Sequence, residues 1–182
     1  MTENNIDELI FIKGYEYIYK INPKNGDIWS CYKKRFMNPC ISSKGYRTIV
    51  LADKENKRKT KMVSRLVYLS FHNKTDDDIK GYEVDHKDTN KLNNNIDNLR
   101  LATRAQNCQN RGIIHSNTGY KGIHLDKRGY YICKVEADKK THKFSTKDLE
   151  IAIQFTKNIR KILHGDFANN GNELIPLNTD TE

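Results

Sequence analysis

The sequence predicts an α+β protein built from small modules. Its 182 residues can form one ordinary domain or two to three small ones in series. Hydrophobic residues make up 36% and charged residues 30% of the chain, and the mean hydropathy of −0.83 is polar for a single large core. Short aromatic and β-branched runs between turn residues predict strands near both ends, and apolar residues at helical spacing follow each group of strands.

The chain is strongly basic, and this limits the kinds of molecule that it is expected to bind. Its formal net charge is +9 and its pI about 9.3, so its surface attracts polyanions. Nucleic acid is the polyanion that a basic protein most often meets, but ribosomal proteins, basic toxins and membrane-surface proteins share this charge balance. The charge therefore favours nucleic acid as the partner. Only the sequence motifs can distinguish a nucleic-acid-binding protein from the other basic classes.

The cysteine and apolar patterns bear on metal binding and location. Four cysteines form no C-x-x-C pair and no finger spacing with a histidine, so we expect no structural zinc site. No stretch reaches the roughly 18 apolar residues that cross a bilayer, and the N-terminus lacks a signal-peptide pattern. We expect a cytoplasmic protein that is not secreted, or one in the nucleus or a viral factory if its source is a eukaryotic virus.

The first half of the chain predicts a sheet and then a helix. The runs YEYIYKI, GDIWSCY and YRTIVLA, separated by NPKNG and SSKG, predict one small antiparallel sheet. The basic stretch KENKRKTK, residues 54–61, leads into MVSRLVYLSFH. That segment predicts a short amphipathic helix because its apolar residues have nearly helical spacing, namely Met62, Val63, Leu66, Val67 and Phe71.

The second half predicts two further groups of elements. After the acidic break TDDDIK come two short strand candidates, an Asn-rich loop and a helix with Thr103 as its N-cap. YKGIHLD, GYYICKVEAD and THKFS then predict three strands, and DLEIAIQFTKNIRKILHGDF predicts a helix. The apolar stripe of that helix is expected at Ile151, Phe155, Ile159 and Ile162. Residues 171–182 read as a polar tail.

Asp85 and His86 place an acid and an imidazole side by side at the end of a strand candidate. Neighbouring residues of a regular strand point to opposite faces of the sheet. We therefore expect a turn or bulge at the strand end that lets both side chains face one site. The polar, Asn-rich loop that follows is unusual for a core and supports a site there.

The segment VDHKDTNKLNNNIDNLRLATRAQNCQN resembles the HNH motif of phage and intron homing endonucleases, in the variant with Asn in place of the last His. Asn98 and Asn107 lie 12 and 21 residues after His86, which matches the order of a ββα-metal hairpin. The resemblance implies a metal-dependent nuclease hairpin in residues 56–112 that hydrolyses a DNA phosphodiester bond.

The same resemblance implies a role for each residue of the motif. His86 would be the general base, since an imidazole accepts a proton near neutral pH. Asp85 and Asn107 would hold one Mg²⁺ or Mn²⁺ through hard oxygen ligands. Asn98 would lie in the second strand and support catalysis by tying the hairpin loop together and so orienting His86.

The segments on both sides also resemble known modules. Residues 1–55 are similar to the NUMOD4-like sheet that precedes such nucleases, on the pattern GYEYIYKINPKNGDIWS, although a plain scaffold sheet with packed aromatic residues is the alternative. The helix before the hairpin carries Ser64 where this family usually has His, so no role is assigned to that position.

Residues 113–170 resemble the AP2-type DNA-binding domain, including the ending HGDFAN. In that fold the sheet enters the major groove and its outward side chains meet phosphates and base edges. A solvated basic face is the alternative. The resemblance implies DNA contacts from eight residues: Lys121, His124, Arg128, Tyr130, Lys134, Lys140, His142 and Lys143.

Together the resemblances predict a site-recognising, homing-type endonuclease of a mobile genetic element. Its partner would be double-stranded DNA, with no membrane and no obligate protein partner, and it would act as a monomer or weak dimer. One active site per chain predicts a nick in one strand. Two alternatives stay open: a DNA-binding protein with a decayed nuclease, and a nonspecific defence or toxin nuclease with the same motif.

Overall fold

The computed structural model describes residues 8–112 and 116–171, and the predicted polar tail lies outside them except for Gly171. The protein is a mixed α/β chain with several small antiparallel sheets and few helices. It divides into two compact units, residues 1–104 and 105–182. No helix in the described ranges is long and apolar enough to span a membrane.

Twelve strands and three α-helices lie in the described residues. The strands are β1 (Ile10–Phe11), β2 (Tyr19–Ile21), β3 (Ile28–Ser30), β4 (Arg35–Phe36), β5 (Cys40–Ile41), β6 (Arg47–Ala52), β7 (Arg58–Met62), β8 (Glu83–His86), β9 (Leu99–Ala102), β10 (Ile123–Leu125), β11 (Tyr131–Ala137) and β12 (Lys140–Thr146). The helices are α1 (Val63–Phe71), α2 (Arg104–Gln109) and α3 (Leu149–His164).

The strands before α1 form two sheets where the sequence predicted one. Strands β1 to β4 form a four-stranded sheet, whereas YRTIVLA forms β6 in a separate sheet between β5 and β7. Strand β7 takes in the second part of the basic stretch, pairs with β6 as a hairpin and leads directly into α1. The prediction failed because strand patterns fix the pairing face of a strand and not its partner.

One hydrophobic core joins the predicted N-terminal and nuclease segments. Ile12, Ile21 and Ile28 from the first sheet pack with Val67 of α1 and Leu99 of β9. Residue 55 is therefore not a boundary between separate cores. The predicted helix α1 is confirmed and buries Val63, Leu66 and Val67, but Met62 and Phe71 at its two ends are exposed.

Strands β8 and β9 form a two-stranded antiparallel hairpin, and α2 follows after one intervening residue, Thr103. The order strand, strand, helix is therefore the one predicted. Asn98 does not lie in the second strand, as expected from the sequence, but at the end of a short 3₁₀ turn, Ile96–Asn98, directly before it. Its side chain is thus free of the strand alternation and can point into the loop.

The second unit contains the three predicted strands in the order β10-β11-β12, with α3 packed on one face. Asp148 caps α3 by accepting hydrogen bonds from the backbone N–H groups of Glu150 and Ile151. The predicted apolar stripe is wrong, because Ile151 and Ile162 are exposed. The buried face instead carries Ala152, Ile153, Thr156 and Arg160, whose smaller members let the helix approach the sheet.

Candidate functional site

The β8–β9 hairpin places Asp85 directly opposite Arg100. The Nε atom of Arg100 donates a hydrogen bond to Oδ2 of Asp85 at 3.0 Å. The side chains are only 6% and 15% exposed, respectively, so this is a largely desolvated ion pair. The hydrogen bond holds the carboxylate in one orientation. Removing either partner would leave a buried charge without its counter-ion, which is destabilising.

The expected irregularity at the strand end is absent from this hairpin. Pairing between β8 and β9 is regular up to His86 and Leu99, and Lys87 continues it by donating to the carbonyl of Asn98. Asp85 and His86 therefore leave the backbone on opposite faces of the hairpin, yet the Asp85 carboxylate is close enough to His86 to oppose the lowering of its imidazole pKa by burial. Both are nevertheless buried, since His86 lies on the core face with Leu99 and Asp85 is covered with Arg100.

His86 is held in one tautomer by Asn94. The Nδ2 group of Asn94 donates to the carbonyl of Leu92, so its Oδ1 atom is the one that lies 3.3 Å from Nε2 of His86. An amide oxygen accepts only, which assigns the ring proton to Nε2 and the lone pair to Nδ1. Asn94 is itself only 2% exposed, so this arrangement is locked by packing.

Burial also keeps the imidazole of His86 neutral. Desolvation lowers the pKa of His86 below its ordinary value, although the Asn94 hydrogen bond and the carboxylates of Asp88 and Asp85 act in the opposite direction. The ring of Tyr46 lies 6.0 Å from the imidazole, centroid to centroid. A neutral ring with its lone pair on Nδ1 can accept a proton near pH 7.

Asn98 ties the hairpin loop together from both ends of its side chain. Its Nδ2 donates to Oδ1 of Asp88 and to the carbonyl of Asn93, both at 2.9 Å, and its Oδ1 accepts from the backbone N–H of Asp88 at 3.1 Å. Burial raises the pKa of Asp88, but hydrogen bonds from Asn93, Asn98 and the N–H of Asn90 outweigh it and leave the pKa lowered. The loop between the strands is therefore a closed polar network.

We expect Asn98→Ala to reduce both the stability of the hairpin and any activity that depends on it. The substitution removes three hydrogen bonds of the loop, each contributing on the order of 0.5–1.5 kcal/mol net. Thermal unfolding of the variant measures the effect. Asn158→Ala, on the exposed side of α3, is the matched control and should unfold like the unmodified protein. Equal unfolding temperatures for the two variants would show that the hydrogen bonds of Asn98 do not stabilise the hairpin.

The residues predicted to hold a metal supply hard oxygen donors. Asp85 offers a carboxylate and Asn107, half-buried in α2, offers an amide oxygen, and both suit Mg²⁺ or Mn²⁺ better than zinc. Among residues 8–112 and 116–171, no three His, Cys, Asp or Glu side chains are arranged around a possible metal position.

The predicted DNA-binding residues in the strands of the C-terminal sheet lie on two different faces. Residues directly opposite one another share a face, and Ile123, Cys133 and Phe144 face α3. His124, Lys134 and Lys143 therefore lie on the outer face, and all three are exposed. His142 lies opposite Val135 and Lys140 opposite Ala137, so the alternation places both toward the α3 side.

Arg128 and Tyr130 belong to the turn before β11. The guanidinium of Arg128 pairs with Asp126 at 3.1 Å and lies 5.9 Å from the ring of Tyr130. The ammonium of Lys147 lies 5.2 Å from the same ring. The turn therefore gathers two cations around one aromatic side chain beside the outer face.

Lys121 has a structural position that the sequence did not indicate. Its ammonium donates to the carbonyls of Gln109, Arg111 and Asn169 at 2.7, 2.7 and 2.9 Å. Burial, and then the nearby guanidinium of Arg160, lower the pKa of Lys121 to about 8. All three ammonium donors are thus used within the protein, and we leave Lys121 out of the proposed DNA contacts.

Sequence reasoning missed three residues that shape the site: Arg100, Asn94 and Asp88. Arg100 could have been found by pairing the two strand candidates, which sets it opposite Asp85. Asn94 and Asp88 carry no such signal, because the Asn-rich loop contains many equivalent amides and only its folded path selects among them.

A strand–strand–helix hairpin with a buried acid and an oriented histidine defines the class of ββα nucleases. Comparison with known proteins agrees with that class: the family model described as "HNH endonuclease" matches residues 61–109. Protein 3.8 of Escherichia phage T7 is 42% identical over 91 residues, which is 49% of this chain and 75% of that protein. The chain belongs to the HNH endonuclease family.

Two further comparisons concern one relative. DNA endonuclease I-HmuI of Bacillus phage SP01 is 38% identical over 104 residues, 55% of each chain. A solved structure described as DNA binding and cleavage by the HNH homing endonuclease I-HmuI matches with a TM-score of 0.50 and 36% identity, over 57% of this chain and 56% of that one. The chain thus spans about half the length of I-HmuI.

Proposed function

We propose that this protein is a homing-type DNA endonuclease that hydrolyses one phosphodiester bond in a recognised duplex site. The observation that carries the proposal is the buried His86, whose Nε2 is engaged by Asn94 and whose neutral form is favoured by burial. The similarity to I-HmuI, described as a DNA endonuclease, supports DNA as the substrate.

His86 acts on the attacking water. Its Nδ1 lone pair takes a proton as the water oxygen forms a bond to phosphorus and the bond from phosphorus to the 3′ oxygen breaks. Asn94 keeps Nε2 protonated, so the ring accepts at one nitrogen only. Asn98 supports this step from a distance by keeping the loop after His86 closed.

Asp85 and Asn107 hold one divalent cation, Mg²⁺ or Mn²⁺, in this proposal. When bound, that cation supplies charge neutralisation at the phosphate and at the leaving 3′ oxygen. Arg100 fixes the carboxylate of Asp85 and balances its charge in the protein. A single set of these residues per chain cuts one strand, so a monomer produces a nick.

The outer face of the C-terminal sheet recognises the duplex. Lys134 and Lys143 lie directly opposite one another across β11 and β12, where two like charges repel unless an anion lies between or above them. His124 shares that face, and the turn with Arg128 and Tyr130 lies beside it. Phosphate contacts from these cations would supply affinity, and base-edge contacts would supply site choice.

The proposal is tested by mapping cuts in a randomised duplex library. The unmodified protein should cut at preferred positions, whereas the double variant Lys134→Ala, Lys143→Ala should cut more slowly with weaker preference. Each lost phosphate contact should reduce the slope of log affinity against log salt by about 0.9. The exposed pair Lys59→Ala, Lys80→Ala in the first unit is the charge-matched control. An unchanged salt slope and unchanged cut positions in the first variant would contradict recognition by this face.

A further inference from the structure

The outer face of the first sheet carries a continuous row of aromatic and basic side chains. Phe11 pairs with Lys20, Lys20 with Trp29, and Trp29 with Phe36, so each of β1 to β4 contributes one residue. The opposite face of the sheet carries Ile21 and Ile28 in the core, among other residues. We call the row, together with Tyr17, the aromatic face.

The rings of the aromatic face contact one another and belong to neither hydrophobic core of the described residues. The Trp29 and Phe36 rings are 5.0 Å apart at 74°, and those of Phe11 and Tyr17 are 5.1 Å apart. The ammonium of Lys20 lies 5.0 Å from the Phe11 ring. Trp29 and Phe36 are half-buried and Phe11 and Tyr17 are exposed, so the described residues cover this face only in part.

Tyr17 is the most exposed ring of this face and has an unusual backbone. Its side chain is 79% exposed, and that of Phe11 is 40% exposed. Its φ of +68° lies in the left-handed region, which is costly for a bulky residue other than glycine. The strained backbone holds a large aromatic ring mostly in solvent, where its one ring contact is with Phe11, and leaves the rest of the ring open to a stacking partner.

The charge around the aromatic face identifies the partner as a polyanion. Lys20 lies within the row, and Lys33, Lys34 and Arg35 are exposed at its β4 edge. No Asp or Glu occurs between residues 28 and 52, so no acidic side chain from β3 through β6 offsets these cations. An apolar protein partner would pay to bury Lys20 within the row, whereas a nucleic-acid strand would pair it with phosphate.

We propose that the aromatic face binds single-stranded DNA by stacking unpaired bases on its rings. Aromatic rings with a cation among them match what a strand offers, because each nucleotide has one flat base and one phosphate. Paired bases in a duplex have their flat faces covered by neighbours, so a stacking platform discriminates against duplex DNA. This binding is separate from cleavage and does not depend on His86 or on a metal.

The chain contains a single tryptophan, Trp29, so its intrinsic fluorescence reports on this face alone. The full-length protein is titrated in EDTA with an oligothymidylate of roughly 16 nucleotides, near the upper site size of small single-strand-binding folds. Saturable quenching of Trp29 fluorescence is expected, with weaker quenching by the same length of duplex. Absence of quenching, or equal quenching by duplex, overturns the proposal.

Single substitutions then test the stacking itself. Tyr17→Ala should weaken oligonucleotide binding by about 5- to 150-fold, the effect of losing one base–aromatic stack. Tyr82→Ala removes an exposed tyrosine outside the aromatic face and should bind as the unmodified protein does. Circular dichroism checks that both variants are folded. Equal affinities of the two variants, or stronger quenching by anionic lipid vesicles than by the oligonucleotide, would also overturn it.

The same titration separates this inference from the proposed function. If the protein binds the oligonucleotide but never cuts duplex DNA, single-strand binding by the aromatic face is supported and the nuclease proposal is wrong. If the protein cuts duplex DNA but Trp29 fluorescence does not respond to the oligonucleotide, the nuclease proposal is supported and single-strand binding by the aromatic face is wrong.

Discussion

Replacing His86 by alanine is expected to slow DNA cleavage by about 10²- to 10⁴-fold, the usual contribution of a general acid–base group. The imidazole is 3% exposed and oriented by Asn94, so no neighbouring group of the loop can take its place without rearrangement. The measurement is a single-turnover cleavage rate on plasmid DNA at fixed metal concentration.

DNA binding by the His86→Ala variant should stay within a few-fold of the unmodified protein, because most affinity comes from phosphate contacts made elsewhere. His72→Ala is the matched control, since His72 is an exposed histidine at the end of α1. Its cleavage rate should not change. If affinity in a gel-shift assay fell together with activity, His86 would be a binding or folding residue instead of the base.

Asp85→Asn is expected to give the second large loss. The substitution keeps the size of the side chain but removes the carboxylate that pairs with Arg100 and that we propose as the ligand of the cation. Loss of an outer-shell partner of a metal ligand already costs about 10- to 100-fold in metal affinity or activity, and loss of the ligand itself should cost more. Calorimetric titration with Mn²⁺ measures the affinity, and plasmid cleavage measures the activity.

Arg100→Met separates charge pairing from metal binding. It leaves the Asp85 carboxylate buried without its cation, which costs roughly 3–5 kcal/mol of stability in buried ion pairs. A bound Mn²⁺ compensates that carboxylate, so the variant should unfold at a higher temperature when Mn²⁺ is added. If Asp85→Asn bound Mn²⁺ and cut DNA as the unmodified protein does, Asp85 would not be a metal ligand.

The sequence predicted the second unit best, for physical reasons that the structure makes clear. Its central strand, β11, alternates between core and surface from Cys133 to Ala137, and the turns of the sheet contain Gly129 and the Asp138–Lys139 pair in positive-φ conformations. Such local signals specify hairpins almost by themselves. The helix α3 was also predicted, but its buried face was not, because Thr156 and Arg160 look polar in the sequence and are buried by packing on the sheet.

The site was predicted in outline only. Spacing located Asp85, His86 and Asn98 in the hairpin, since those positions are fixed by the chain order. The partners that set their chemistry come from strand register, as with Arg100, or from the folded path of the Asn-rich loop, as with Asn94. The register could have been found by pairing the two strand candidates, whereas the path of the loop cannot be read from composition or periodicity.

The most direct test of a metal-dependent nuclease with one active site is a time course on supercoiled plasmid DNA. In Mg²⁺ or Mn²⁺, purified protein should first produce open circles, with linear DNA appearing later and only from a second cut. Excess EDTA should stop the reaction, because the phosphoryl transition state needs the cation. Cutting that continues in EDTA would contradict metal dependence, and linear DNA as the first product would contradict a single active site that nicks one strand.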